Sequence, residues 1–298
     1  MNTDFPARIT LELTNVCNLH CVFCPRRFME NERGHMDAAL ALRLLDEMSL
    51  YLPVTLVPFF RGEALLHPEW DRIIDHAKKR KLGPIQLASN ASLLTEELAR
   101  RLIDLDIDFL SFSMDTLDPV RYRELRGADY QESLDNVLRF LDLRDRFGCS
   151  TQVQVSAVET AANKPEMDKF IVFWAQKADR VRVYPEHSAD GASGSLANPP
   201  LPRAERRPCH KVYEDMVIYW NGDVALCNHD WNRKVSGRFI ANVSQGSIAQ
   251  AWQCEAYQDI RRSHRAGDIT GMLPCESCDH WAVRYSPPAV WGRVVERL

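Results

Sequence analysis

Nine cysteines carry the chemistry most legible in this chain, at positions 17, 21, 24, 149, 209, 227, 254, 275 and 278. Cys17-Asn-Leu-His-Cys21-Val-Phe-Cys24 places three thiols within one short segment. Three thiolates cannot complete a four-cysteine cluster, but they can hold three irons of a [4Fe–4S] cube and leave the fourth open to an outside ligand. A zinc site closed by His20 is the competing use; it is disfavoured because His20 lies inside the loop itself. Cys209, Cys227, Cys275 and Cys278 form a second set. A hairpin at Asn221-Gly222 folds Cys227 back toward Cys209, and the Cys275/Cys278 loop closes the other side. Four thiolates complete a cluster with no open iron, or alternatively hold a structural zinc. Asp279, not His, follows Cys278, which argues against c-type haem attachment.

The rest of the composition narrows the setting. The 298 residues hold 37 Lys and Arg against 41 Asp and Glu, a net charge of −4, so no basic excess exists to neutralise a nucleic-acid backbone. No run of 18 apolar residues is present to span a membrane. The beginning, MNTDFPARITLEL, has an acid and a proline where a secretion signal needs a basic end and an apolar stretch. The expected location is the cytoplasm, where clustered cysteines serve metals or catalysis more often than disulfides.

Elements able to position these thiols can be read from periodicity. Strands are expected at Ile9–Leu13, Thr55–Phe60, Ile85–Ser89, Phe109–Met114, Gln152–Val158 and Val181–Tyr184. Helices are expected between them at Asp37–Leu50, Glu69–Lys79, Thr95–Leu105, Leu134–Leu143 and Phe170–Ala178. Six βα repeats predict an α/β fold, a partial (β/α)6 barrel over residues 1–186. A Gly-, Ser- and Pro-rich stretch, 187–208, reads as a linker. A small α+β unit over 209–298 follows, with a type I′ hairpin at Asn221-Gly222 and one helix from Ile248 to Ser263. The C-x3-C-x2-C trio sits just after the first strand, where a parallel sheet presents its functional loops.

That trio, placed on a six-repeat βα chain, resembles the radical S-adenosylmethionine (SAM) superfamily. The resemblance implies that the open iron chelates the methionine end of SAM and that one electron from the cluster yields a 5′-deoxyadenosyl radical. Phe60-Arg61-Gly62-Glu63 resembles the family's Gly-Gly-Glu motif. This implies Glu63 as acceptor for the SAM amino group and Gly62 as a point of close backbone approach, with Arg61 standing in place of the usual first glycine. Ser89-Asn90 resembles the family's Thr-Asn-Gly turn. By the same resemblance Ser113 and Asp115 contact ribose or methionine, Arg126 pairs with the SAM carboxylate, and Phe23 stacks beside adenine. The Cys209–Cys278 set resembles the twitch domain, a shortened SPASM domain with one auxiliary [4Fe–4S] cluster; His229, Asp230 and Trp231 echo that family as shielding groups.

The compact architecture resembles radical SAM enzymes acting on aminoglycosides. It implies a small polar substrate of the sugar or cyclitol kind, an external one-electron donor such as flavodoxin or ferredoxin, and oxidation of C–OH to C=O. Glu159, Arg182, Tyr184 and Glu186 are unranked proton acceptors. Epimerisation is the alternative, with Cys254 on its helix as hydrogen-atom donor. A peptide-modifying maturase is a further reading; it should carry a recognition domain ahead of the barrel, and with the first strand near residue 9 none is expected. A non-catalytic iron–sulfur or zinc scaffold is the reading from another class.

Overall fold

Apolar runs that are covered on both faces pair in parallel, and all six runs of the first half do so. They are β1 (Arg8–Leu11), β2 (Thr55–Val57), β3 (Gln86–Ser89), β4 (Phe109–Ser113), β5 (Gln152–Glu159) and β6 (Arg180–Pro185). The computed structural model describes residues 4–29, 32–186, 205–230, 240–288 and 292–297. Ile9 pairs with Leu56, Leu87 with Leu110, Leu110 with Val153, and Val155 with Val181, all in parallel register. A single parallel bridge, Leu56–Ile85, joins β2 to β3. The result is an open arc of six strands in sequence order, the expected partial barrel. No helix among the described residues is long and apolar enough to cross a membrane.

Helices α1 (Ala38–Met48), α2 (Trp70–Lys79), α3 (Glu96–Asp104), α4 (Pro119–Arg126), α5 (Tyr130–Phe147) and α6 (Met167–Ala175) alternate with these strands. Four of the six starts are fixed by side-chain caps: Asp37 accepts the Leu40 amide, Thr95 the Leu98 amide, Asp118 those of Val120 and Arg121, and Asp129 that of Glu132. The helix expected at Leu134–Leu143 runs longer at both ends because Asp129 caps it and Gly148, at φ 61°, stops it. Helix α4 went unread in the sequence because it is short and mostly polar, with only Tyr122, Leu125 and Arg126 buried.

The C-terminal chain covers both edges of the arc. After α7 (Lys211–Glu214), β7 (Asp215–Ile218) pairs in parallel with β1, and β8 (Val224–Ala225) pairs antiparallel with β7. A strand the sequence reading missed, β9 (Arg293–Glu296), pairs antiparallel with β6. The open edges thereby pass to two short strands, β8 of two residues and β9 of four, and short edges are poor templates for aggregation. The linker expected over 187–208 falls, for residues 187–204, outside the described residues, as does Trp231.

Two local expectations are corrected. The hairpin is not type I′, since Gly222 has φ 85° while Asn221 keeps a negative φ. The Gly222 amide donates to the Tyr219 carbonyl at 2.8 Å, and the Tyr219 amide donates to the Asp223 carbonyl at 2.8 Å. This is a three-residue loop with glycine in the left-handed position. The expected single helix from Ile248 to Ser263 is two, α8 (Ile248–Gln253) and α9 (Glu255–Ala266). Cys254 breaks it in extended conformation, ψ 156°. The carbonyl of Trp252 freed by the break accepts Nη1 of Arg261 at 2.9 Å.

Candidate active site

The trio lies in the loop after β1, and its position is set by backbone contacts. The Cys24 amide donates to the Cys21 carbonyl at 3.0 Å, the Val22 amide to Leu125 at 2.9 Å, and Nη2 of Arg26 to the Leu19 carbonyl at 2.7 Å. Burial raises all three thiols, Cys21 to about 11. A metal bound there must displace these protons, since the thiolate is the ligand.

Gly62 and Glu63 press against this loop from the end of β2. The Glu63 amide donates to Val16 at 2.9 Å. A Cβ on Gly62 would lie 2.4 Å from the Thr14 carbonyl oxygen and 2.5 Å from that of Val16. Gly62 therefore admits the backbone of the cysteine loop itself. The buried Glu63 carboxylate accepts the Asn90 amide at 2.8 Å and the Leu65 amide at 3.4 Å, while desolvation raises its pKa. Asn90 Nδ2 reaches Asn18 Oδ1 at 2.9 Å and lies 4.0 Å from Cys17 Sγ.

Arg61 points neither to solvent nor into this corner. It forms a buried two-pronged pair with Glu12, at 2.6 and 2.7 Å, and its guanidinium lies 3.7 Å from the Tyr219 ring centroid. Glu12 also accepts the Trp220 amide at 3.3 Å. The residue standing in for the motif's first glycine thus ties the barrel to the C-terminal hairpin.

Asp115 sits just beyond β4 with φ 61°, a left-handed conformation rare for a side-chain-bearing residue. It is held there by its own bonds: Oδ1 accepts the Val158 amide at 2.7 Å, its carbonyl accepts Nδ2 of Asn163 at 2.8 Å, and Oδ2 accepts Nη1 of Arg126. Arg126 is buried, and its Nε has no hydrogen-bond partner. Ser113, the last residue of β4, is half-buried.

Cys209, Cys227, Cys275 and Cys278 all line one cavity. Burial raises each thiol, Cys278 to about 11. Nη2 of Arg206 donates to the Cys275 carbonyl at 2.6 Å. The His229 and His280 amides approach Cys227 Sγ and Cys278 Sγ at 3.4 and 3.3 Å, and the two imidazoles meet at a tilt of 45° with centroids 4.4 Å apart. His280 was missed in the sequence, although the repeated Cys-x-His spacing at 227–229 and 278–280 is a signal that could have found it.

A larger cavity, about 490 Å³, lies between the two thiol groups. Phe23 and Cys24 bound it on the trio side; Cys278, His229 and His280 bound it on the other. Phe59, Phe60 and Val158 supply apolar wall, and Arg182, Tyr184, Glu186 and Asp279 supply polar groups. Phe59 and Phe60 were not read as site residues; their place beside Arg61-Gly62-Glu63 was the available signal. Of the residues expected to transfer a proton or hydrogen atom, two stay outside. Glu159 accepts Nη2 of Arg293 at 3.0 Å and lines a separate cleft. Cys254 is at the α8–α9 junction, where its thiol points to the Ile240 carbonyl at 3.7 Å, and it is not among the residues lining the cavity.

Residues 11–153 match the family model of the radical SAM superfamily, and residues 209–279 match that of an iron–sulfur cluster-binding domain, SPASM. The chain is a radical SAM enzyme. Its cofactors are SAM and two [4Fe–4S] clusters, one of them auxiliary. A relative from Pyrococcus furiosus, a tungsten-containing aldehyde ferredoxin oxidoreductase cofactor-modifying protein, is 25% identical over 326 residues, which is 95% of this chain and 91% of that one. Two solved structures share the fold of this radical SAM enzyme. SuiB of Streptococcus suis bound to its precursor peptide SuiA has TM-score 0.70 at 18% identity, covering 87% of this chain and 67% of that one. BtrN in complex with AdoMet and 2-DOIA has TM-score 0.63 at 19% identity, covering 96% and 98%.

The side chains of this radical SAM enzyme fit such cofactors. The buried, unpartnered Nε of Arg126 is a charged donor awaiting an acceptor. A carboxylate such as that of SAM is the acceptor a guanidinium suits best. At the quartet, no three His, Cys, Asp or Glu side chains among the described residues gather around one ion-sized point. The thiols ring a cavity instead, an arrangement suited to a multi-iron cluster, whereas zinc needs every sulfur about 2.3 Å away.

Proposed function

We propose that this radical SAM enzyme oxidises a C–OH group of a small polar, sugar- or cyclitol-like molecule to C=O. In this reading Cys17, Cys21 and Cys24 hold the SAM-binding cluster. Cys209, Cys227, Cys275 and Cys278 hold the auxiliary one, and a flavodoxin- or ferredoxin-type protein supplies the first electron. A single observation carries the reading: one cavity is bounded by Cys24 of the trio and by Cys278 of the quartet. When bound, SAM and the clusters supply abstraction of a hydrogen atom from the substrate carbon and acceptance of the electron that the resulting hydroxyl-bearing radical releases along with its proton.

The chain's own residues do the rest. Arg126, Glu63 and Asn90 would hold the polar end of SAM, and Phe23 would pack against its adenine. Phe59 and Phe60 keep water from the reacting carbon. Arg182, with its guanidinium 4.8 Å from the Tyr184 ring centroid, orients substrate hydroxyls. Glu186 and Tyr184, on the same wall, are the groups placed to take the hydroxyl proton. The epimerase reading loses weight because Cys254 packs near Ile240, outside the cavity lining.

An extended substrate such as a peptide is the second reading. Arg182 and Tyr184 also line a cleft with Gln86, Gln152 and Arg180 at the opposite ends of the strands, a second surface on which an extended molecule can lie. Anaerobic reconstitution with SAM and dithionite, screened against polyols, aminocyclitols and peptides, tests both. Release of 5′-deoxyadenosine with a carbonyl product from a polyol supports oxidation. Turnover of peptides alone supports the second reading, and a product of unchanged oxidation state refutes the first.

A further inference from the structure

Two buried N–H donors border the quartet cavity and find no acceptor in the protein. Nε2 of His264, whose residue is 2% exposed, and Nε1 of Trp281, 1% exposed, are both without hydrogen-bond partners, and both residues line that cavity. The tautomer of His264 follows from its other nitrogen. The Cys209 amide donates to Nδ1 at 3.4 Å, so Nδ1 offers its lone pair and Nε2 bears the proton. Trp281 packs against Cys209, and an indole nitrogen can only donate. Orphaned donors of this kind are costly when buried, typically about 1–3 kcal/mol each, and native proteins rarely keep them without a use.

We infer that Nε2–H of His264 and Nε1–H of Trp281 donate hydrogen bonds to sulfurs of the auxiliary cluster and thereby raise its reduction potential. The inference rests on the reading that the four cysteines around this cavity hold that cluster. Thiolate and sulfide sulfurs are the acceptors the two donors lack. Reduction adds a negative charge to the cluster, so an N–H dipole aimed at it stabilises the reduced form more than the oxidised one, and the dry surroundings strengthen the effect. His264 and Trp281 are thus positioning residues for electron acceptance. Neither touches the larger cavity where substrate binds.

The test is a redox titration of the reconstituted full chain, followed by electron paramagnetic resonance, on wild type, His264→Asn, Trp281→Phe and the double variant. Asparagine keeps an acceptor for the Cys209 amide, and its shorter side chain does not carry an N–H to the position of Nε2; phenylalanine keeps an apolar ring without a donor. Iron is counted in every sample. Wild type carrying about eight irons supports the quartet reading, whereas about four irons, or zinc in the quartet, overturns that reading and the inference with it. With the second cluster present, each variant is expected to show a tenfold weaker reduction equilibrium at the auxiliary cluster, about 59 mV lower for a one-electron couple, with the SAM-binding cluster unmoved. Unchanged midpoints in variants that retain all their iron overturn the inference alone. Should His264→Asn lose its cluster, Trp281→Phe decides.

Discussion

Gly62→Ala is the substitution whose consequence can be worked most directly from the geometry. Its new Cβ would fall 2.4 and 2.5 Å from two backbone carbonyl oxygens, of Thr14 and Val16, in the loop that carries Cys17. Ordinary contact begins near 3.4 Å, so the two segments must separate by about 1 Å. Neither side yields easily: the Val16 carbonyl accepts the Glu63 amide at 2.9 Å, and Glu63 is buried and bonded to Asn90. A separation of that size displaces Cys17 beyond the roughly 0.2 Å tolerance of a metal–ligand bond. The direct cost is about 1–3 kcal/mol, as for other overpacked sites, which lowers Tm by several degrees. The larger effect is on the trio's cluster. Iron should fall from about eight to about four per chain, and 5′-deoxyadenosine formation under dithionite should disappear. A variant with full iron and wild-type SAM cleavage would refute the claim that the β2 end clamps the cysteine loop.

Three further predictions follow from other contacts. Arg61→Met should destabilise the protein by about 3–5 kcal/mol in denaturant unfolding, because it strands the buried Glu12 carboxylate, and combining it with Glu12→Gln should recover part of that loss; additive effects in the double variant would refute a coupled pair. Cys254→Ala should leave 5′-deoxyadenosine formation and product identity unchanged, and lost product with retained SAM cleavage would restore the hydrogen-donor role. Asp106 accepts bonds from the Ser150 hydroxyl and amide and from Cys149, which hold its carboxyl below the ordinary aspartate value. A depressed folded pKa gives stability above the unfolded value that is lost as pH falls through the folded one. Asp106→Asn should therefore flatten the acid limb of the stability profile by less than about 1 kcal/mol, since the group is largely solvated; an effect near neutral pH instead would contradict it.

The sequence by itself determined what depends on local spacing. C-x3-C-x2-C is a local ligand set, so the superfamily and its cofactors could be read without coordinates. The six strands were legible because parallel strands buried on both faces must be near-continuous apolar runs. The caps at Asp37 and Thr95 act within three residues, so helix starts were legible too. What only the tertiary structure decided depends on partners distant in the chain. Arg61 read as a broken motif until Glu12 and Tyr219 were seen around it. The hairpin's attachment to β1 and the placing of β9 on β6 are long-range pairings that no periodicity encodes. Cys254 looked helical because a 16-residue amphipathic stretch carries no sign of its break; the Arg261 bond that accommodates it forms only once α9 turns back on α8. The wall of His229 and His280 between the two cavities exists because residues some fifty positions apart are folded into ring contact.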